Sequence, residues 1–224
     1  MKKPIALKEN LSLRPSYKAI FRLGWITCLL LIIYSFLTIV IMAVLGPPPQ
    51  TATEIFNMLN SNQFFGLLRL DILTVFLMPL YYVLFYCIYT ALKENIKEAV
   101  FLPTLLIFAG LTLFLAAPSA FSYLDLSVKF QQAADAAQRS QFISAGEAII
   151  ASDIWHGTGA KVGGIMIQAG AVVVSVLMLK SKIFNKLLAY VGIATHGLDL
   201  LHIVILFFRF PSALFLWLSQ ERCI

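Results

Sequence analysis

Three stretches of this chain, 23–45, 101–115 and 162–179, contain no Asp, Glu, Lys or Arg. A helix at the surface of a water-soluble domain keeps a polar face, and a helix with none is either deeply buried or crosses a bilayer. Length decides between these. At 1.5 Å per residue, roughly 20 residues cross about 30 Å of hydrocarbon, and residues 23–45 exceed that. The basic residues collect between the apolar runs: before the first one, at Lys93 and Lys97, and at Lys180, Lys182 and Lys186. Apolar runs joined by alternately basic connections predict an all-α integral membrane protein and its orientation.

Composition excludes the other classes. The chain is 60% hydrophobic and only 12% charged over 224 residues, against roughly 25% charged in soluble domains. The net charge of +6 does not point to nucleic acid, because Lys2, Lys3, Lys8, Arg14, Lys18 and Arg22 all precede the first apolar run. That placement suits anionic lipid at the cytoplasmic face. Cys28, Cys87 and Cys223 have no paired spacing, so neither a disulfide framework nor a cysteine metal motif is expected. The first run is about twice the length of a signal-peptide core and is followed by Gly46, Pro47, Pro48 and Pro49, so it reads as an uncleaved span.

The expected organisation is one helical membrane domain, 1–224, with spans at about 23–45, 64–92, 101–121, 162–179 and 187–208. An apolar stretch at 211–218 is too short to cross and is either an interfacial turn or an abbreviated sixth span. Pro79 should kink span two. Pro103 suits the first turn of span three, and Pro118 its last. The connection 46–63 reads as external and 93–98 (KENIKE) as cytoplasmic. The polar excursion 122–161 should lie outside. In it, Asp135 and Gln138 make a capping-box-like start, and Gln138, Phe142, Ala145, Ile149 and Ser152 recur at helical spacing. An amphipathic external helix follows from that. Gly159 and Gly163 form a small-xxx-small pair that permits close helix packing. The stretch Gly157-Thr158-Gly159-Ala160-Lys161 lacks the spacing of a phosphate loop and follows no strand.

The runs AQRSQFISAGEA at 137–148, LKSKIFNK at 179–186 and AYVGI at 189–193 occur in this order between apolar spans. Together they resemble an uncharacterised bacterial family of multi-pass membrane proteins known only as a domain of unknown function. The resemblance covers most of the chain from span two to span five. It implies a helical bundle in the bacterial inner membrane, with six spans and a full last helix, whereas the stretch after Pro211 is short. It implies no activity, cofactor or catalytic residue.

Ionisable residues inside hydrocarbon are costly and define the candidate site. Arg69 and Asp71 lie about 7–11 Å below the outer end of span two. Asp199 and His202 lie at similar depth on span five, with His196 nearer the midplane; the steps 196–199 and 199–202 keep all three on one side of the helix. An outer-half pocket between spans two and five is the specific expectation, with Glu147, His156 and Lys161 at its rim. The plainer reading is that Arg69 pairs with Asp199 or snorkels outward, and that the other groups are interhelical hydrogen-bond partners. For Glu147 the plainer reading is a solvated helix face.

Two functions remain open. One is a small-solute or proton-coupled carrier, or an accessory membrane factor. The other is a membrane-embedded metal-dependent hydrolase acting on a lipid-like substrate. His196 and His202 stand about 120° apart around the helix, which suits one tetrahedral metal site poorly. No catalytic triad, redox motif or nucleotide loop is apparent, so no cofactor and no metal ligand is assigned. The expected partners are the bilayer and a small-molecule or lipid ligand, not nucleic acid.

Overall fold

A computed structural model describes residues 15–207, with side chains for 18–205 apart from 94, 95 and 97. Lys2, Lys3, Lys8, Arg14, Cys223, the stretch 211–218 and the end of span five at Phe208 lie outside the described residues. The described chain is all helical: α1 (Pro15–Leu45), α2 (Ala52–Ser61), α3 (Gln63–Arg69), α4 (Ile72–Leu77), α5 (Leu80–Leu115), α6 (Ala120–Gln132), α7 (Ala136–Ser152), α8 (Thr158–Lys180) and α9 (Lys186–Phe207). Among the described residues, five helical stretches are long and apolar enough to cross a membrane.

α1 ends where the sequence stops it. Gly46 takes the left-handed conformation (φ 81°) and donates its N–H to the Met42 carbonyl at 3.0 Å, and three prolines follow. Span two is broken rather than continuous. Asp71 is left-handed (φ 54°), a conformation that Asp tolerates better than bulky residues, and it separates α3 from α4. Pro79 then separates α4 from α5, the expected kink.

The expected connection at 93–98 is itself helical, and the reversal is confined to Ile96 (φ −144°, ψ 41°) within α5. At 36 residues α5 would extend about 54 Å, too long for one crossing. The chain folds back instead. Tyr82 packs on Phe108 with ring centroids 5.1 Å apart and hydrogen-bonds Thr112 Oγ1 at 2.7 Å. Pro103 therefore sits inside α5, and not in the first turn of a new helix. α5 ends at Leu115, with Pro118 in the link to α6.

Glycines join the second half of α5 to α8. A Cβ on Gly110 would meet the Gly163 carbonyl oxygen at 2.6 Å, and one on Gly159 would meet that of Leu113 at 2.7 Å. Gly170 is equally close to the Pro103 carbonyl, at 2.8 Å. These pairings run antiparallel and bear out the close-packing role of Gly159 and Gly163. Leu92, Val100, Ile107, Leu111 and Val174 fill the core around this seam. α9 folds back on α8 through a turn in which Asn185 Oδ1 accepts the Leu187 N–H at 3.0 Å. α1 and α9 turn apolar side chains outward along their length; Phe36 is 67% and Leu198 68% exposed.

A second core lies at one end of this bundle, between α2, α6 and α7. Ile55, Phe56 and Leu59 of α2 are buried against it. Fully burying Phe56 contributes on the order of 1.5–3 kcal/mol. The expected external helix is α7. Asp135 caps it, accepting the Gln138 N–H at 2.7 Å, and Gln138 Oε1 accepts the Ala134 N–H at 2.7 Å. Phe142 and Ile149 pack on the second core, while Gln138 and Ser152 are exposed.

The pairings fix which ends lie together. Cys87 Sγ donates to the Ile20 carbonyl at 3.3 Å, which puts the start of α1, with Lys18 and Arg22, beside the α5 turn. The antiparallel α5–α8 seam puts that turn beside the α8–α9 turn with Lys180, Lys182 and Lys186. The described basic clusters therefore share one end of the bundle, and the α2–α6–α7 layer occupies the other.

Candidate functional site

Except for Glu147, the polar residues singled out from the sequence divide between two cavities. The first, about 280 Å³, lies between the end of α1, the α3–α4 junction and the second core. Arg69, Asp71, Tyr123, Asp153 and His156 line it. The second, about 490 Å³, lies where α8 and α9 meet the start of α5. Tyr81, Lys161, Gln168, His196, Asp199 and His202 line it. Ile154 and Trp155, in the turn before α8, form part of both walls. A single pocket holding Arg69 and Asp71 together with His196, Asp199 and His202 is thus not what the helices build.

The reason is local. The left-handed turn at Asp71 aims its carboxylate at α1: Asp71 accepts the Thr74 hydroxyl, and Thr74 Oγ1 is in turn hydrogen-bonded to the Tyr34 hydroxyl. A hydroxyl has one proton to give, so Tyr34 donates to Thr74 and Thr74 to Asp71. Asp71 is 9% exposed. Arg69 faces elsewhere. Its Nε donates to the Pro47 carbonyl at 2.7 Å, and its Nη1 lies 3.8 Å from Met58 Sδ. Among the described residues, Arg69 makes no ion pair within 4.0 Å.

In the second cavity the unexpected member is Gln168. It stands midway along α8, opposite the midpoint of α9, and joins two of the expected residues. Its Nε2 donates to Asp199 Oδ2 at 3.5 Å, and its Oε1 accepts from His196 Nδ1 at 2.6 Å. With the amide in this orientation the proton of His196 sits on Nδ1, leaving Nε2 as an acceptor. A glutamine in an apolar run is a weak signal alone. Its position opposite His196 depends on the register of the α8–α9 hairpin, which sequence spacing does not give.

Asp153 was also missed, although it is the best-satisfied acid. Its Oδ2 accepts from Tyr123 OH at 2.7 Å. Its Oδ1 accepts the N–H groups of Trp155 (2.9 Å) and His156 (3.0 Å) and pairs with His156 Nδ1 at 2.9 Å. It is 5% exposed and ties α6 to the turn before α8. The spacing Asp153 to His156 could have suggested it, since an Asp in a turn readily accepts from the N–H two or three residues on. The rim residues also separate: His156 lines the first cavity and Lys161 the second. Glu147 lines neither. Its Oε1 accepts the Ala52 N–H at 2.7 Å and so completes the N-terminal cap of α2, which corrects its reading as a mere solvated face.

Among the described residues, no three of His, Cys, Asp and Glu converge on a point that could hold a metal ion. The metal-dependent hydrolase alternative therefore gains no ligand set from them. No protein-family model, curated protein or solved structure matches this chain. Over the described residues the fold defines the class: all helical, with five helical stretches long and apolar enough to cross a membrane, and with ionisable side chains in the walls of both cavities.

Proposed function

We propose that this is a multi-pass carrier of the bacterial inner membrane, with its N-terminus in the cytoplasm, moving a small solute together with a proton. The site is the cavity between α8, α9 and the start of α5. One observation carries the reading: Gln168 links His196 to Asp199 at the middle of two apolar, membrane-length helices, beside a cavity of about 490 Å³. A charged group at that depth costs about 2.5–3.5 kcal/mol or more, so its presence there points to a function. An imidazole and a carboxylate joined through one amide form a short path along which protonation at one end is felt at the other. Lys161 on the same wall supplies a positive partner for an anionic part of the solute. The orientation rests on the shared end of the basic clusters, the side that positive residues favour in the cytoplasm.

The test is solute-driven proton movement. Purified full chain is reconstituted into liposomes holding a pH-sensitive dye, and small amines, amino acids and carboxylates are added outside in turn. A carrier gives a saturable change of internal pH with one of these classes, and Asp199→Asn abolishes it while the protein stays monodisperse. No response to any class, or a wild-type response in Asp199→Asn or in His196→Ala, overturns the proposal.

A further inference from the structure

We infer that the first cavity, between the end of α1 and the α2–α6–α7 layer, binds an amphiphile whose acidic head, a carboxylate or a phosphate, is held by Arg69. The guanidinium is fixed but not neutralised. Its Nε is anchored on the Pro47 carbonyl at 2.7 Å, and a Cβ on Gly46 would stand 3.5 Å from its Nη2. A guanidinium has five N–H donors, and among the described residues one of the five has an oxygen acceptor. The remaining edge matches two oxygens of a carboxylate or phosphate.

The acids of the cavity do not compete for it. Asp153 receives four hydrogen bonds, from Tyr123, Trp155 and His156. Asp71 is turned toward Thr74 and Tyr34. Neither lies within 4.0 Å of the guanidinium.

Apart from Gln50 and Ser119, the rest of the wall is apolar, with Met42, Ile55, Leu70, Ile150 and Trp155 its larger members. That selects against a free inorganic anion, which would gain nothing from it. Met42 is the connection to the outside. It lines the cavity, is 46% exposed, and stands one turn from Ile39, which is 64% exposed. The cavity therefore continues onto the outward apolar face of α1. An acidic head beside Arg69 places its chain along that face. About 280 Å³ suits the head and the first carbons, with the remainder following α1.

The experiment titrates the detergent-solubilised full chain with parinaric acid, a fluorescent carboxylate amphiphile. Saturable binding is expected, weakened tenfold or more in Arg69→Gln. Ile150→Trp, which fills the apolar wall and leaves Arg69 in place, weakens it comparably. Lys129→Ala, which removes a cation of the same layer outside the cavity, binds as wild type. Displacement by oleate alone identifies a free fatty acid, and displacement by phosphatidic acid alone identifies a phospholipid; displacement by both supports the shared head-group chemistry. Absence of saturable binding, or wild-type affinity in Ile150→Trp, overturns the assignment. Wild-type affinity in folded Arg69→Gln does so as well. Equal displacement by oleyl alcohol removes the role of the acidic head, and displacement by inorganic phosphate removes that of the chain. If Arg69→Gln does not fold, Ile150→Trp decides.

Discussion

Gly110 and Gly163 are reciprocal: a Cβ on either would stand 2.6 Å from the carbonyl oxygen of the other. The backbones of α5 and α8 are as close as helices come, and only the missing side chains allow it. In the proposed membrane setting, burying more apolar surface would gain little, so dispersion across this seam would be the main attraction. Gly163→Val should part the helices and cost about 1–3 kcal/mol, a typical penalty for overpacking. A melting curve of the purified protein checks this, and Gly197→Ala, where a Cβ meets nothing within 4 Å, is the control. Equal melting temperatures for the two variants would remove the seam from the account.

Glu147 ties α7 to the first turn of α2. The Ala52 N–H is wholly buried and has the Glu147 carboxylate as acceptor at 2.7 Å. Glu147→Ala leaves that donor unsatisfied, at about 1–2 kcal/mol. The loss is local, so amide exchange is the right measurement. The amides at 52–55 should exchange about tenfold faster in Glu147→Ala while those of α8 are unchanged. Unchanged exchange at 52–55 would mean that Thr51 alone caps the helix.

Asp153 is the tie between the layer and the bundle. Asp153→Ala removes four hydrogen bonds at a buried position and should cost about 2–4 kcal/mol. Tyr123→Phe removes one of them and should cost about 1 kcal/mol. Because the two groups share the bond at 2.7 Å, the two losses are not additive: Tyr123→Phe should cost nothing further once Asp153 is alanine. Denaturant titration of the double-mutant cycle measures this, and full additivity would contradict the bond.

The long apolar helices were legible because a charge-free run of about 20 residues has few structural uses, although the bounds of spans two and three shifted. Asp135 as the cap of α7 was legible for a similar reason, since capping is read from residues three apart. What failed depends on neighbours distant in sequence. α2 went unread because the connection at 46–63 was judged only by its charge, although Thr51 and Glu54 form a cap there and Ile55 and Leu59 lie one turn apart. The expected pocket assumed that Asp71 continues an ideal helix. One positive φ redirects it to Thr74, and helical phase carries no information across such a break. His196 and Asp199 were found, but Gln168 was not, because it enters only through the α8–α9 register.

Orientation is the prediction on which the carrier reading depends most. Lys18, Arg22, the α5 turn with Lys93, and the α8–α9 turn with Lys180, Lys182 and Lys186 share one end of the bundle. The opposite end carries the α2–α6–α7 layer. Positive residues close to spans are retained in the cytoplasm, so the layer should face outward. Gln141 is exposed on α7, and Lys182 lies in the α8–α9 turn. In a background with Cys28, Cys87 and Cys223 replaced, a cysteine at 141 should react with a membrane-impermeant maleimide in intact cells. A cysteine at 182 should react only after the membrane is opened. The reverse pattern would invert the protein, place Asp199 and His202 in the inner half of α9, and leave the proposed solute cavity opening to the wrong side.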